Sequence, residues 1–260
     1  MTKLSVIIGN YNTYELTKSC IESIYKNSPK FSFEVIVVDD ASPDGSGSKL
    51  KLLEKKFDNL KVIINTKNSG YVRTNNIGLK NSKGEYKLLL NSDTLIHPNS
   101  IDKLVEFAEK NTSIGVVGSK LVNKDGSLQE SCYNFPTIWN VIDYKKFIPK
   151  SEGPTVVDAV VGAVFLITPK AYKLVGELNE KYKSYFEDLD YCREVNRKGL
   201  KVYYLPDSVV THYHGESFKQ LDNSDNQWKK LIPSSIVYHG LLRHYLLYII
   251  SWCYQKFLKK

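Results

Sequence analysis

Leu4-Ser5-Val6-Ile7-Ile8-Gly9-Asn10-Tyr11-Asn12 is a short β-branched run that breaks into polar residues. A run of that kind reads as a buried strand. The alternation it starts repeats downstream. Leu16, Cys20, Ile21, Ile24 and Tyr25 have the spacing of a helix over 13–27. A second strand over 34–38 ends in Asp39-Asp40-Ala41-Ser42. Gly45-Ser46-Gly47 reads as a turn, with a helix over 50–57 behind it. A third strand at 62–64 precedes a helix over 72–81, entered through Asn68-Ser69-Gly70. A fourth strand over 86–90 ends in Asn91-Ser92-Asp93, before a helix over 101–110 and a strand over 115–121. Strands alternating with helices imply βαβ units and a mainly parallel sheet. Ligands bind such sheets outside the carboxyl ends of the strands. Asn10/Asn12, Asp39/Asp40, Asn68 and Asn91/Asp93 are therefore expected to converge on one crevice.

The second half is less regular. Residues 125–154, with Tyr133, Trp139 and Tyr144, read as a long connection or flap, which in a compact domain is usually functional. Residues 156–167 are apolar and β-rich around Gly162, and 171–176 form a helical turn. A helix over 186–198 is closed by Gly199. Strand-like segments at 202–205 and 209–211 lead into His212-Tyr213-His214-Gly215.

Composition narrows the function. The 260 residues carry 36 Lys and Arg against 28 Asp and Glu, a net charge of +8. Ordinary apolar and charged fractions exclude a disordered, collagen-like or polytopic membrane chain. Lys229, Lys230, Arg243, Lys256, Lys259 and Lys260 fall within 226–260, which holds no Asp or Glu. The excess charge belongs to that tail, so the basicity does not point to nucleic acid, and no nucleic-acid motif is present. The four cysteines are scattered without metal spacing, and no signal peptide is evident, which suggests a cytoplasmic chain.

Several clusters have residue types suited to chemistry, and each also has an ordinary explanation. A carboxylate after a buried parallel strand, as in Asn91-Ser92-Asp93, can hold a hard cation against phosphate oxygens; the same residues suit a turn or helix cap. Glu187-Asp188 can supply a general base, or satisfy a helix dipole. Tyr185 and Phe186 beside the pair could stack on a sugar ring. Asp39-Asp40 and Ser42 suit a base or ribose contact, or an Asx turn. His212 and His214 point to opposite faces of an extended chain, so one at most faces a given site. No G-x-G-x-x-G, Walker A, G-x-S-x-G or H-E-x-x-H motif occurs.

Taken in order, these motifs resemble glycosyltransferase family 2. The likeness runs from Ser5-Val6-Ile7-Ile8-Gly9-Asn10-Tyr11-Asn12 through Val37-Val38-Asp39-Asp40-Ala41-Ser42, Asn68-Ser69-Gly70 and Asn76-Ile77-Gly78. It continues through Leu89-Leu90-Asn91-Ser92-Asp93, Val161-Gly162-Ala163, Tyr185-Phe186-Glu187-Asp188-Leu189-Asp190 and His212-Tyr213-His214-Gly215-Glu216-Ser217. Within the family the chain is similar to bacterial rhamnosyltransferase-like members, which usually show Asn-Pro-Asp at the metal motif and a segment like Phe135-Pro136-Thr137. The resemblance implies an α/β GT-A fold: a Rossmann-like, mainly parallel sheet flanked by helices, here with a C-terminal helical tail. It also implies a nucleotide-sugar donor, inversion at the anomeric carbon and a divalent cation, Mg2+ or Mn2+. Asp40 would contact the nucleobase with Asp39 and Ser42 beside it, and Tyr11 and Asn12 would line the nucleotide pocket. Asn68, Gly70, Arg73 and Asn76 would support ribose and diphosphate, with Asn91 and Ser92 next to them. Asp93 and His212 would bind the cation. Asp188 would be the general base with Glu187 its neighbour, and Gly162, Tyr185 and Trp139 are candidates for the sugar-facing side. Two departures stand out: Asn91 replaces the usual first carboxylate of the metal motif, which predicts weaker cation binding, and Gly9 stands where many members have Pro or Thr.

The expected organisation is a catalytic domain over 1–225, with a nucleotide-binding half at 1–121 and an acceptor half at 122–225, then a basic amphipathic tail over 226–260. That tail is too apolar all round for a free surface helix and too short to span a bilayer. Packing on the domain, a homodimer contact, or a peripheral contact at the inner face of the cell membrane are all open. The expected reaction transfers a sugar, L-rhamnose from dTDP-rhamnose, to a glycan or lipid-linked glycan in bacterial surface polysaccharide synthesis. The alternative is a nucleotide- or glycan-binding module with a degenerate metal motif and no catalysis.

Overall fold

The computed structural model describes residues 1–137, 139–140, 146–213, 227–254 and 256. Tyr144, His214, Gly215, Glu216, Ser217, Phe257, Lys259 and Lys260, named above, lie outside the described residues.

Four strands form the parallel part of a ten-stranded sheet, in the order β3-β2-β1-β4: β1 Leu4–Asn10, β2 Phe33–Asp39, β3 Leu60–Ile64 and β4 Tyr86–Asn91. Their side chains alternate between two cores, as the pleat requires. Leu4, Val6 and Ile8 enter one cluster, with Cys20, Ile21 and Ile24 of α1 (Tyr14–Lys26). Ile7 enters the other, with Val72 and Leu79 of α3 (Tyr71–Asn81). The α3 helix lies so close to β1 that a Cβ on Gly78 would sit 2.3 Å from Ile7 Cγ2.

The helix expected over 50–57 is found one turn earlier, as α2 (Ser46–Leu53). Gly45, at φ +79°, starts it, and a Cβ on Gly47 would fall 2.6 Å from Asp39 Oδ2. The Gly-Ser-Gly run is thus the close seat of a helix on a carboxylate, and not a free turn.

The sheet continues with β5 (Thr94–Ile96), β6 (Ile114–Val122), β7 (Leu128–Gln129), β10 (Thr155–Val157), β12 (Val164–Ile167) and β13 (Lys201–His212). Helix α4 (Ser100–Glu109) connects β5 to β6 and buries Leu104 and Val105. Strand β12 lies between β4 and β6, antiparallel to both, so residues from the two halves of the chain share one sheet. The two segments expected at 202–205 and 209–211 are one strand. Between Leu205 and Val209 its register on β6 shifts, the mark of a bulge. Beyond the bulge β13 also pairs with β5, setting His212 opposite Thr94.

The flap contains a small sheet, β11-β8-β9, from β8 (Cys132–Tyr133), β9 (Lys146–Phe147) and β11 (Ala159–Val160). Helices α5 (Pro169–Val175) and α6 (Glu187–Arg197) complete the domain. The tail is two helices where one was expected, α7 (Gln227–His239) and α8 (Leu241–Cys253), divided at Gly240 with φ +79°. Among the described residues no helix is long and apolar enough to cross a membrane.

Candidate active site

Register brings the strand ends together: Asn10 is paired with Asp39 and Gly9 with Asn91. The polar groups there fall into those that brace the crevice and those left open to it. Asp39, expected at the nucleotide, is a brace. Its Oδ1 accepts from Asn10 Nδ2 at 2.5 Å and Ser42 Oγ at 2.6 Å, and its Oδ2 from Ser42 N at 3.0 Å. Ser42 Oγ in turn accepts from Asn12 N at 2.9 Å. Asp40 is also engaged: it accepts from Asn65 Nδ2 at 2.9 Å, Ser69 N at 2.9 Å, Ser69 Oγ at 2.8 Å and Gly70 N at 2.8 Å. Its carboxylate clasps the loop entering α3, where backbone N–H groups at a helix start draw the nearest anion. Asn76 is likewise closed, on Leu178 O and N at 2.8 and 2.9 Å, so its amide fixes the 178–180 loop in place of the expected diphosphate contact. Arg73 Nε pairs with Glu180 Oε2 at 3.2 Å on the surface. Asn68 is exposed at the loop tip and Tyr11 is half-buried.

Asn12 differs. Its Oδ1 is shielded from solvent and has no hydrogen-bond partner, and its φ is +55°. Across the crevice Ala41 has φ +57°. Two non-glycine residues held in the left-handed region mark a backbone constrained by more than its own preference.

Asp93 and His212 meet although 119 positions separate them, because the β13–β5 pairing carries one to the other. Asp93 Oδ1 lies 3.4 Å from His212 Nε2 and both residues are buried. His212 Nδ1 lies 2.6 Å from Gln129 Oε1. Gln129 Nε2 donates to Asn123 Oδ1 at 2.8 Å and His212 O at 3.4 Å, which leaves Oε1 as the acceptor for Nδ1–H. In a neutral imidazole so oriented, the Nε2 lone pair faces a carboxylate oxygen. Two acceptors facing one another fit a cation between them. Ligand arms of about 2.1 Å at right angles would separate two donor atoms by about 3 Å. Among the described residues no third His, Cys, Asp or Glu joins the pair. Asn91 Oδ1 is bonded instead to Tyr71 Oη at 3.1 Å, and Ser92 Oγ lies 3.3 Å from Thr13 Oγ1.

Tyr71 links this corner to the carboxylates of α6. Its phenol is influenced by Glu187, Asp188 and Asp93, and burial with those charges pushes its ionisation well up. Asp188 is aimed by backbone: Oδ2 accepts from Gly162 N at 3.0 Å and Oδ1 from Leu189 N at 2.8 Å. Burial raises its pKa, opposed by those two N–H groups and by the Lys146 ammonium. Burial, then the charge on Asp188, also raises the Glu187 carboxyl. Glu187 Oε2 is shielded and unpartnered. A Cβ on Gly162 would stand 3.5 Å from Asp188 Cβ and 3.8 Å from Tyr71 Oη, so the glycine keeps the space between them open. Tyr185 and Phe186, at φ +66° and +68°, deliver the chain into α6. Trp139 stands apart on the flap, 89% exposed.

The profile described as Glycosyl transferase family 2 matches residues 5–171. The chain belongs to that family. The match includes the strand ends, Asp93 and Gly162, and stops before Glu187, Asp188 and His212. A glycosyltransferase of Haemophilus influenzae, otherwise uncharacterised, is 28% identical over 242 residues, covering 91% of this chain and 74% of its own length. The poly(ribitol-phosphate) beta-glucosyltransferase of Bacillus spizizenii is 32% identical over 225 residues, covering 78% of this chain and 34% of its own. The crystal structure of GalNAc-T7 with UDP, GalNAc and Mn2+ superposes with a TM-score of 0.68 at 20% identity, covering 81% of this chain and 43% of that one. The fold is GT-A and the protein is a glycosyltransferase.

Three residues of this glycosyltransferase's crevice escape a reading of its sequence. Tyr71 looks like a core aromatic at a helix start, Gln129 lies in the irregular flap, and Lys146 is one cation among many. Only Tyr71 had a signal, its place directly after Asn68-Ser69-Gly70.

Proposed function

We propose that this glycosyltransferase is an inverting hexosyltransferase that transfers a sugar from a nucleotide-sugar donor to a hydroxyl of a glycan, free or lipid-linked, in bacterial surface polysaccharide synthesis. The observation that carries the reading is that Tyr71 lies between two carboxylate corners: Asp93 with His212 on one side, Asp188 with Glu187 on the other. A single displacement needs such a division, with the leaving diphosphate on one side and the acceptor hydroxyl with its base on the other. Asp93 Oδ1 and His212 Nε2 would hold Mg2+ or Mn2+, with water and diphosphate oxygens as further ligands. When bound, that cation neutralises charge on the departing diphosphate. Asp188 accepts the proton of the attacking hydroxyl; its raised pKa makes it a better base than an ordinary carboxylate. The unpartnered Asn12 Oδ1 accepts from the nucleotide, and Glu187 Oε2 from a sugar hydroxyl. Residues 1–225 form the catalytic unit and 226–260 attach it to a membrane.

For the donor we propose dTDP-L-rhamnose, supported by the likeness around Phe135-Pro136-Thr137. The glucosyltransferase relative makes UDP-glucose the first competitor. The test is turnover of a panel of nucleotide sugars with Mn2+, Mg2+ or chelator. Release of nucleotide from one donor, lost on chelation, supports the reading. Nucleotide binding without turnover of any donor would favour a binding module, to which Asn91 lends some support.

A further inference from the structure

We propose that the outward face of α8 and the indole of Trp139 form one interfacial surface that seats the catalytic crevice on an anionic bilayer, from which the acceptor is taken as a lipid-linked glycan. This rests on the glycosyltransferase reading and gives the tail a defined binding face.

Helix α8 is inside out for a surface helix. Leu247 is its buried residue, whereas Leu242, Tyr245, Leu246, Ile249 and Trp252 recur at three- and four-residue spacing on the face away from it. Leu242 is 88% exposed. An ordinary surface helix turns its polar face to water, and a contiguous exposed apolar face marks an interaction surface. The exposure does not come from an undocked tail. Ser234 Oγ of α7 donates to Ser184 O at 2.7 Å. Tyr238 is buried with its ring 5.3 Å from that of Phe186, and the Arg193 guanidinium lies 4.0 Å from its centroid. Helix α7 fastens the tail, and α8 is held with its apolar side outward.

The flap joins the same surface. Arg243 Nη2 at the start of α8 donates to Pro136 O at 3.3 Å. The turn after Pro136 is fixed by Thr137 N on Asn140 Oδ1 at 2.7 Å and Asn140 N on Thr137 Oγ1 at 3.2 Å, and it presents Trp139. Indole favours the headgroup region, where its ring is half in hydrocarbon and its N–H is wet.

Charge selects the occupant. Residues 226–260 hold six Lys and Arg and no acid. Arg243 flanks the apolar face, and Lys256 lies with its ammonium 4.6 Å from the Trp252 ring centroid. A second copy of the chain would set like charge against like, whereas anionic headgroups complement it. Thirteen residues of helix reach about 20 Å, too short to span a bilayer, so α8 lies in the plane of the interface. Because α7 docks on Ser184–Phe186, immediately before Glu187 and Asp188, the seated crevice opens beside the bilayer.

The test is sedimentation of the 260-residue chain with vesicles of phosphatidylcholine alone or of phosphatidylcholine with phosphatidylglycerol. Partition into the anionic vesicles is expected to be at least roughly tenfold stronger and to weaken with salt. Leu242→Asp with Ile249→Asp, both at exposed positions, is expected to lower it roughly a hundredfold, with unchanged melting and unchanged donor turnover on a soluble acceptor. Trp139→Ser is expected to lower it several-fold. Equal partition of wild type and double variant, or none of either, overturns the proposal. So does a double variant that turns a dimer into a monomer without vesicle binding by the wild type. Loss of vesicle binding with donor turnover intact refutes the surface and leaves the glycosyltransferase reading standing; the reverse refutes that reading alone.

Discussion

Gln129→Leu separates a cation site from a coincidental Asp–His contact. The Gln129 side chain is nearly isosteric with leucine, and its lost contacts can be named: His212 Nδ1 at 2.6 Å, Asn123 Oδ1 at 2.8 Å and His212 O at 3.4 Å. The first bond decides the imidazole tautomer. With Nδ1–H donated to Gln129 Oε1, Nε2 carries a lone pair towards Asp93. Without it, the Asp93 carboxylate favours the opposite tautomer, in which Nε2–H donates to Oδ1 across the 3.4 Å gap and closes the space between them. A cation must then displace that proton and reorder the ring.

Partners of this kind, behind the ligands themselves, are worth about 10- to 100-fold in metal affinity, or about 1.4–2.7 kcal/mol. The assay is the midpoint of Mn2+ activation of donor turnover, with direct Mn2+ binding as a second readout. The midpoint is expected to rise 10- to 100-fold in Gln129→Leu, with kcat recovered at saturating Mn2+. Gln129→Glu keeps an acceptor for Nδ1–H and is expected to restore most of the affinity. An unchanged midpoint in Gln129→Leu, or turnover of the wild type indifferent to chelator, would refute the reasoning.

Asp188→Asn is expected to lower transfer about 10²- to 10⁴-fold with nucleotide affinity, measured by calorimetry, within a factor of a few of wild type; near-normal turnover would remove Asp188 as the base. Asn91→Asp keeps an acceptor for Tyr71 Oη and adds a charge beside Asp93, so Mn2+ affinity is expected to rise roughly tenfold, read from the same midpoint. Glu187 bears on stability through pH. Its folded pKa is raised above the unfolded value, so its contribution is fully present below the unfolded pKa and lost as pH rises through the folded one. Glu187→Gln is therefore expected to melt above wild type at alkaline pH, by about 2–4 °C per kcal/mol relieved, with the gap closing towards the ordinary carboxylate range. A gap independent of pH would contradict the assignment.

How much of this was legible in the sequence depends on what kind of fact is asked for. The parallel sheet was, because each strand is buried on both faces and carries the same β-branched signature, and its polar ends announce the crevice. Which polar residue faces the ligand was not. Asp39, Asp40 and Asn76 have the composition of a binding site, yet they close on Ser42, on Ser69 and Gly70, and on Leu178. Composition counts donors and acceptors, whereas geometry decides which are already satisfied. The α2 start was missed for a related reason: Gly45-Ser46-Gly47 looks like a flexible turn until the Asp39 carboxylate beneath Gly47 is seen. Long-range pairs such as Asp93 with His212 depend on a strand bulge that no local pattern specifies.

The same distinction explains why two orphaned atoms say more about function than the motifs that contain them. Burying a polar atom without a partner costs about 1–3 kcal/mol, and a fold tolerates that where a ligand completes the bond. Among the described residues the buried side-chain atoms in this state are Asn12 Oδ1, Glu187 Oε2 and Arg193 Nε. Arg193 lies under Tyr238, where α7 docks. The other two stand at opposite ends of the crevice, each beside a residue of positive φ: Ala41 across from Asn12, and Phe186 before Glu187. Unmet hydrogen bonding and backbone strain thus coincide at the nucleotide end and again at the acceptor end. Two independent penalties at the same two places, with satisfied braces between them, are what a site organised around an absent two-part ligand requires.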